Sequence, residues 1–162
     1  MSKNLAIISA SLIIFSLTSC FDAKSKEFNN DSINITLTNK FKIQKSNDEI
    51  LYLTSKEIIF IGNQEKNTDI GELSLKEYTD LVLKNASEKV KITSEVKEYT
   101  DDSTYFMYVN YIEENEKNSY KYLLTTFKSQ SYYYACNFIT KLDKYEELES
   151  QLLDYAKTIK VK

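Results

Sequence analysis

Few side chains in this chain are equipped for chemistry, and their types narrow the possibilities at once. No histidine occurs among the 162 residues, so Ser-His-Asp and Cys-His arrangements are excluded and imidazole can serve neither as metal ligand nor as proton shuttle. Two cysteines are present, Cys20 and Cys136. Cys136 stands between Ala135 and Asn137 in an aromatic run, where a thiol acts as a small hydrophobe unless a cationic neighbour lowers its pKa. The two glycines, Gly62 and Gly71, make no phosphate-cradling loop. Carboxylates could pair as acid and base or bind a hard cation, and the candidates are Asp101-Asp102 and Glu113-Glu114-Glu116. Both groups fall in turns without EF-hand spacing, so solvated charge is the expectation. The sequence assigns no catalytic residue, metal ligand or cofactor, and the chain is not expected to be an enzyme.

Cys20 has a different setting. Lys3 gives a positive start, residues 5–17 are apolar and uncharged, and Leu17-Thr18-Ser19 brings small residues up to the cysteine. That apolar run is too short for a membrane span, which needs about 20 such residues, and Asp22, Lys24, Lys26 and Glu27 come immediately after it. An export signal in which Cys20 is incidental would account for this pattern. The tetrad Leu17-Thr18-Ser19-Cys20 also resembles the lipobox of bacterial lipoproteins. That resemblance implies cleavage before Cys20, a diacylglycerol on its thiol and usually a further acyl chain on its amine. The mature protein would then be extracytoplasmic, held at a cell membrane or an outer membrane by its acyl chains. Cys136 would be left alone, without an internal disulfide.

Length and charge limit what the remainder can be. The chain beyond residue 19 is long enough for one domain and too short for two ordinary ones. The net charge is −3 and every basic residue is lysine. Nucleic acid is therefore not an expected partner, because binding it needs a basic face and profits from arginine forks.

Residues 20–32 are polar and aperiodic, which predicts a flexible tether. From residue 33 the chain reads as one domain. Ile33, Ile35 and Leu37 alternate with polar residues, Phe41 and Ile43 continue the alternation, and residues 50–53 and 57–61 read as a strand pair ended by Gly62-Asn63. Ser74-Leu75-Lys76-Glu77 is a capping box, with Leu73 and Tyr78 at its hydrophobic-staple positions. Leu75, Tyr78, Leu81, Val82 and Ala86 then mark a helix ending near residue 88 or 89. Val90, Ile92 and Val96 return to strand spacing, and residues 100–103 form a turn. Residues 104–112, 120–127 and 132–138 are β-branched and aromatic, with nearly continuous apolar character, which predicts a sheet covered on both faces. A last helix begins at a Thr140 cap and carries Leu142, Tyr145, Leu148, Leu152, Tyr155 and Ile159.

The predicted class is α+β, an antiparallel β-sheet with helices packed on both faces in the order β-β-β-α-β-β-β-β-α. Over residues 33–161 this order, with the run from Tyr120 through Tyr132-Tyr133-Tyr134 into the last helix, resembles the Mog1p/PsbP-like fold. An α+β domain of another family fits the same elements. The resemblance implies an accessory or binding role, carried out by docking on another protein of the envelope, and brings no catalytic residues with it. Thirteen tyrosines are the unusual abundance. As a strand, Tyr132-Tyr133-Tyr134 must point to alternate faces. Most such rings belong to a core, while Tyr105, Tyr108, Tyr111, Tyr120 and Tyr122 are the candidate partner-binding residues. Two other readings stay open: an immunity-type lipoprotein that neutralises a toxin, and a carrier of a lipid or small apolar ligand, which would need a sizeable cavity.

Overall fold

The computed structural model describes residues 24–87, 91–92, 97–100, 105–114 and 119–162. The chain begins with β1 (Ser25–Asn29) and β2 (Ile33–Thr38), then β3 (Lys42–Ser46), β4 (Ile50–Thr54) and β5 (Ile59–Lys66). Two helices come next, α1 (Asn67–Ile70) and α2 (Leu75–Ser87), and then β6 (Lys91–Ile92), β7 (Lys97–Thr100), β8 (Tyr105–Glu114), β9 (Ser119–Lys128) and β10 (Tyr132–Lys141). Helix α3 (Leu142–Ala156) and β11 (Lys160–Val161) close the chain. All strand pairs are antiparallel. They form a large sheet ordered β3-β4-β5-β10-β9-β8-β6, with β7 paired to β8, and a small sheet ordered β1-β2-β11.

Helices lie on opposite faces of the large sheet, as the continuous apolar strands require. Along β10, Tyr134, Cys136 and Phe138 enter one core with Tyr145, Leu148 and Leu152 of α3. Tyr133 and Ala135 enter a second with Tyr78 and Leu83 of α2. The consecutive tyrosines Tyr133 and Tyr134 thus serve opposite faces, which is the period-two geometry of a strand.

The polar segment after Cys20 is not all tether. Residues 25–29 pair along their whole length with β2, from Ser25 opposite Thr38 to Asn29 opposite Asn34. A single apolar side chain secures this edge strand: Phe28 is 2% exposed and meets Phe41 edge-on at 6.4 Å between ring centroids. One buried residue in five leaves no alternation to read, so the tether expected over residues 20–32 gives way to strand at Ser25.

Four other expectations are corrected. Gly62 does not end a strand. It lies inside β5, opposite both Leu51 and Cys136. A Cβ there would stand 2.7 Å from Cδ1 of Ile33, so the glycine is needed where the small sheet crosses closely over the large one. The Thr140 hydroxyl donates to the Glu57 carbonyl at 2.8 Å and Lys141 occupies the N-cap of α3, so Thr140 ties strands together instead of capping a helix. Finally, α3 stops at Ala156, where tightened turns carry Ile159 into the core and lead into β11. Leu142, expected on the buried stripe, is 39% exposed.

The box at the start of α2 forms as the sequence requires. The Ser74 N–H donates to the Glu77 carboxylate at 2.7 Å, and the Glu77 N–H donates to Ser74 Oγ at 3.2 Å. These bonds hold the Glu77 carboxyl below the usual carboxylate range. The turn of residues 100–103 beyond Thr100, the hairpin residues 115–118, and Asp101, Asp102 and Glu116 lie outside the described residues, as do Val90 and Val96.

Two substitutions test this packing. Gly62→Ala should destabilise the domain by about 1–3 kcal/mol through overpacking against Ile33. Phe28→Ala should cost about 3–5 kcal/mol if residues 25–29 belong to the folded unit. Urea unfolding monitored by circular dichroism measures both, and a Phe28→Ala midpoint equal to that of the parent would show that β1 contributes nothing.

Candidate docking face

The face of the large sheet that carries α2 is only partly covered by it. Near the β9–β10 hairpin the cover is tight. Tyr78 of α2 stacks on Tyr133 with ring centroids 4.7 Å apart, and the Thr79 and Thr126 hydroxyls share a hydrogen bond at 2.5 Å. The Tyr78 hydroxyl donates to the Glu65 carboxylate at 2.8 Å. Tyr133 donates to the Leu73 carbonyl at 2.5 Å, and that carbonyl also receives the Lys128 ammonium at 2.7 Å. Burial, with the hydrogen bond to Glu65 adding to it, pushes the Tyr78 phenol far above its ordinary value.

Further along the same face, toward the start of α3, no helix among the described residues covers the strands, and Tyr122, which packs against the α2 core, marks the boundary. Tyr52 pairs with Ile61, while Ile59, Ile139 and Tyr122 lie in successive register across β5, β10 and β9, with Tyr120 two residues beyond. All six side chains are half-buried. Their neighbours one position away, such as Leu51, Leu53, Phe60, Phe138 and Leu123, point into the α3 core. The stripe is therefore the outer half of strands whose inner half is fully buried. Its signal in the sequence is the unbroken apolar character of residues 50–53 and 58–61, which a strand with one wet face would not show.

Of the tyrosines singled out from sequence, Tyr120 and Tyr122 lie in this stripe, and Tyr111 of β8 stands opposite Tyr122 in register. Tyr105 and Tyr108 pair with Thr100 and Lys97 of β7 instead. The structure thus gathers three of the five along one line of the sheet and sets two apart. Tyr52, Ile59, Ile61 and Ile139 join the line without having been anticipated.

Two open-sided clefts flank the turn between β4 and β5. One, of about 580 Å³, lies between Lys40, Phe41, Lys56, Ile58, Leu148 and Tyr155. The other, of about 500 Å³, runs from Thr54 and Ile59 to Tyr120, Ile139, Lys141 and Asp143, and so continues the stripe to its edge. Cys136 is wholly buried opposite Gly62, and burial pushes its thiol well above the range in which it would ionise. Among the described residues no cluster of three or more Cys, Asp or Glu side chains is placed to hold a metal ion, and no helix is long and apolar enough to cross a membrane.

No family model matches the chain, and no curated protein does. Solved structures do match. The solution structure of cyanobacterial PsbP (CyanoP) from Synechocystis sp. PCC 6803 superposes with a TM-score of 0.63 at 10% identity, covering 92% of this chain and 99% of its own. This chain has a PsbP-like fold. LpqN of Mycobacterium tuberculosis, described as involved in cell envelope biogenesis, superposes with a TM-score of 0.59 at 7% identity, covering 86% of this chain and 91% of its own. At such identities the likeness establishes the fold alone, and the PsbP-like domain here is described by its own side chains.

The buried phenols give this domain an alkaline limit. Tyr145 of α3 is shifted upward by burial as Tyr78 is. Below pH about 10, where an unfolded tyrosine ionises, their contribution to stability is complete. Above it the unfolded chain releases protons that the folded chain keeps, so stability falls as pH rises. Absorbance at 295 nm should show these two phenols ionising only together with the loss of circular dichroism, and Tyr78→Phe should remove one phenol from that step. A simple titration of all 13 tyrosines near pH about 10 with the fold intact would contradict this.

Proposed function

We propose that this chain is a lipid-anchored protein of the cell envelope that works by docking on another envelope protein and performs no catalysis. The observation that carries the reading is the half-buried stripe of Tyr52, Ile59, Ile61 and Ile139, bounded by Tyr122 at the margin of the α2 core, which no helix among the described residues covers. Aromatic and aliphatic side chains on a rigid sheet give contact area at little cost in conformational entropy, and tyrosine is enriched at interfaces. The stripe offers such area and a few hydroxyls; it presents no nucleophile beside a base.

The PsbP-like fold supports this reading, as does the likeness to a protein of cell envelope biogenesis. Anchoring rests on the apolar residues 5–17 leading to Leu17-Thr18-Ser19-Cys20. Acyl chains on Cys20 would hold the domain firmly, since each buried methylene contributes about 0.8 kcal/mol and two or three chains contribute together. Extracytoplasmic placement at a cell membrane or an outer membrane is inferred from the same residues.

In-cell crosslinking and subsequent affinity purification test both parts. The parent chain should retrieve one stoichiometric envelope protein from the membrane fraction, and Cys20→Ala should lose the membrane association. Ile59→Gln and Ile139→Gln should weaken capture at least tenfold, as central interface residues do, by roughly 1.4 kcal/mol or more, with circular dichroism unchanged. Equal capture by parent and stripe variants would refute the docking face. A captured toxin would assign the immunity role instead.

A further inference from the structure

The place where the fold begins determines how the domain must sit relative to its anchor. Ser25 is already paired with β2, and the Asn39 N–H donates to the Lys24 carbonyl at 2.8 Å. Between Cys20 and Ser25 the chain can span at most about 18 Å, five residues at full extension. A lipid on Cys20 therefore keeps the edge of the domain at residues 24–26 and 38–42 within a short distance of the headgroups. That restraint rests on the reading of Cys20 as the anchor.

That edge is basic. Lys24, Lys40, Lys42 and Lys56 are all exposed, as is Lys26, whose ammonium lies 5.0 Å from the centre of the Phe28 ring. Lys40 and Lys56 both line the cleft of about 580 Å³, whose apolar lining includes Phe41, Ile58 and Leu148. Among the described residues, Glu27 and Glu57 are acids on this edge. The other end of β2 and β3 carries acids. Asp31, Asp48 and Glu49 are exposed there, held together as the Asn30 amide donates to the Asn47 carbonyl at 2.6 Å and the Ser32 hydroxyl to the Asp48 carbonyl at 2.8 Å. The exposed Lys160 and Lys162 also lie at that far end, Lys160 opposite Asn34 and Lys162 bonded to the Ser32 carbonyl, so the contrast is an excess of lysine over acid on the edge from which the lipid would pull.

We propose that this edge lies directly on an anionic phospholipid bilayer, with Lys24, Lys40, Lys42 and Lys56 against the headgroups. Each lysine near such a surface adds attraction equivalent to about fivefold in binding, and the effect fades within about one Debye length, near 8 Å at physiological salt. A span of at most about 18 Å lets the lysines reach that range without fixing them in it, so the attraction itself must draw the edge down. The β4–β5 turn with Lys56 lies between this edge and the stripe, lining both clefts, so Ile59 and Ile139 stand beyond that turn from the proposed bilayer contact.

The test uses the full-length chain purified from membranes, its intact mass reporting the acyl chains. A polarity-sensitive fluorophore is attached in turn to Asn39→Cys and Asp48→Cys, Cys136 being buried. Each is reconstituted into phosphatidylcholine vesicles with or without about one third phosphatidylglycerol. Emission at position 39 should shift to the blue and be quenched by spin-labelled lipid at least about threefold more in anionic vesicles, while position 48 stays unchanged. Replacing Lys24, Lys40, Lys42 and Lys56 by Glu should abolish the difference, as should half-molar salt, which shortens the Debye length to about 4 Å. Equal signals at position 39 in the two vesicle types, or contact at position 48, would overturn the proposal. A chain without acyl mass that still responds at position 39 to anionic vesicles would refute the anchor and uphold the basic edge.

Discussion

Strand β10 sends alternate side chains into two separate cores, and the rest of the molecule depends on that division. Tyr134, Cys136 and Phe138 meet α3, while Tyr133 and Ala135 meet α2. Burying each large apolar side chain contributes about 1.5–3 kcal/mol, so this strand carries a large share of the favourable free energy on both faces. Its neighbours β5 and β9 pair with it over most of its length, which fixes their register too. A slip of one residue would exchange the two faces and place Tyr133 where Tyr134 belongs. The close approach at Gly62 has the same origin, since Ile33 of the small sheet reaches the large sheet over the strand that pairs with Cys136.

Much of this was legible in the residues, for physical reasons that differ by element. The capping box at Ser74 is a local device, satisfied within four residues, and it forms as written. Two-sided burial was legible from unbroken apolar runs, because a strand with one wet face alternates. Strand β1 was not legible, because an edge strand held by Phe28 alone carries no pattern. Thr140 looked like a cap because the next residues are helical, yet its hydroxyl is used by Glu57, a partner 83 positions away. Gly62 looked like punctuation for a similar reason. The chain does not announce that Ile33 will need the space. Of the candidate site, the tyrosines of β9 could be named from composition. Ile59 and Ile139 could not be told from core residues, since only the placement of α2 decides which part of the outer face stays uncovered.

Taken together, the two ends and two faces of the sheet divide the work. The α3 face is a core with a small sheet at its side, and the described chain enters at the edge of that small sheet. Among the described residues the outer face is closed by α2 at one end and carries no helix at the other, where the Tyr and Ile stripe begins. The basic edge and the apolar stripe meet only at the β4–β5 turn, so a domain held on a bilayer by the proposed anchor would still have Ile61 and Tyr52 free to engage a protein.

The most direct test of the two-core account is native-state hydrogen exchange of the β10 amides. Alternate amides of residues 133–138 bond to β5 and to β9, so they report on both sides of the strand at once. All of them should exchange only through global unfolding, with one free energy and one urea dependence equal to those of the whole domain. If the amides facing β9 opened at a clearly lower free energy than those facing β5, with little dependence on urea, the two cores would be separate units and β10 would not be what joins them.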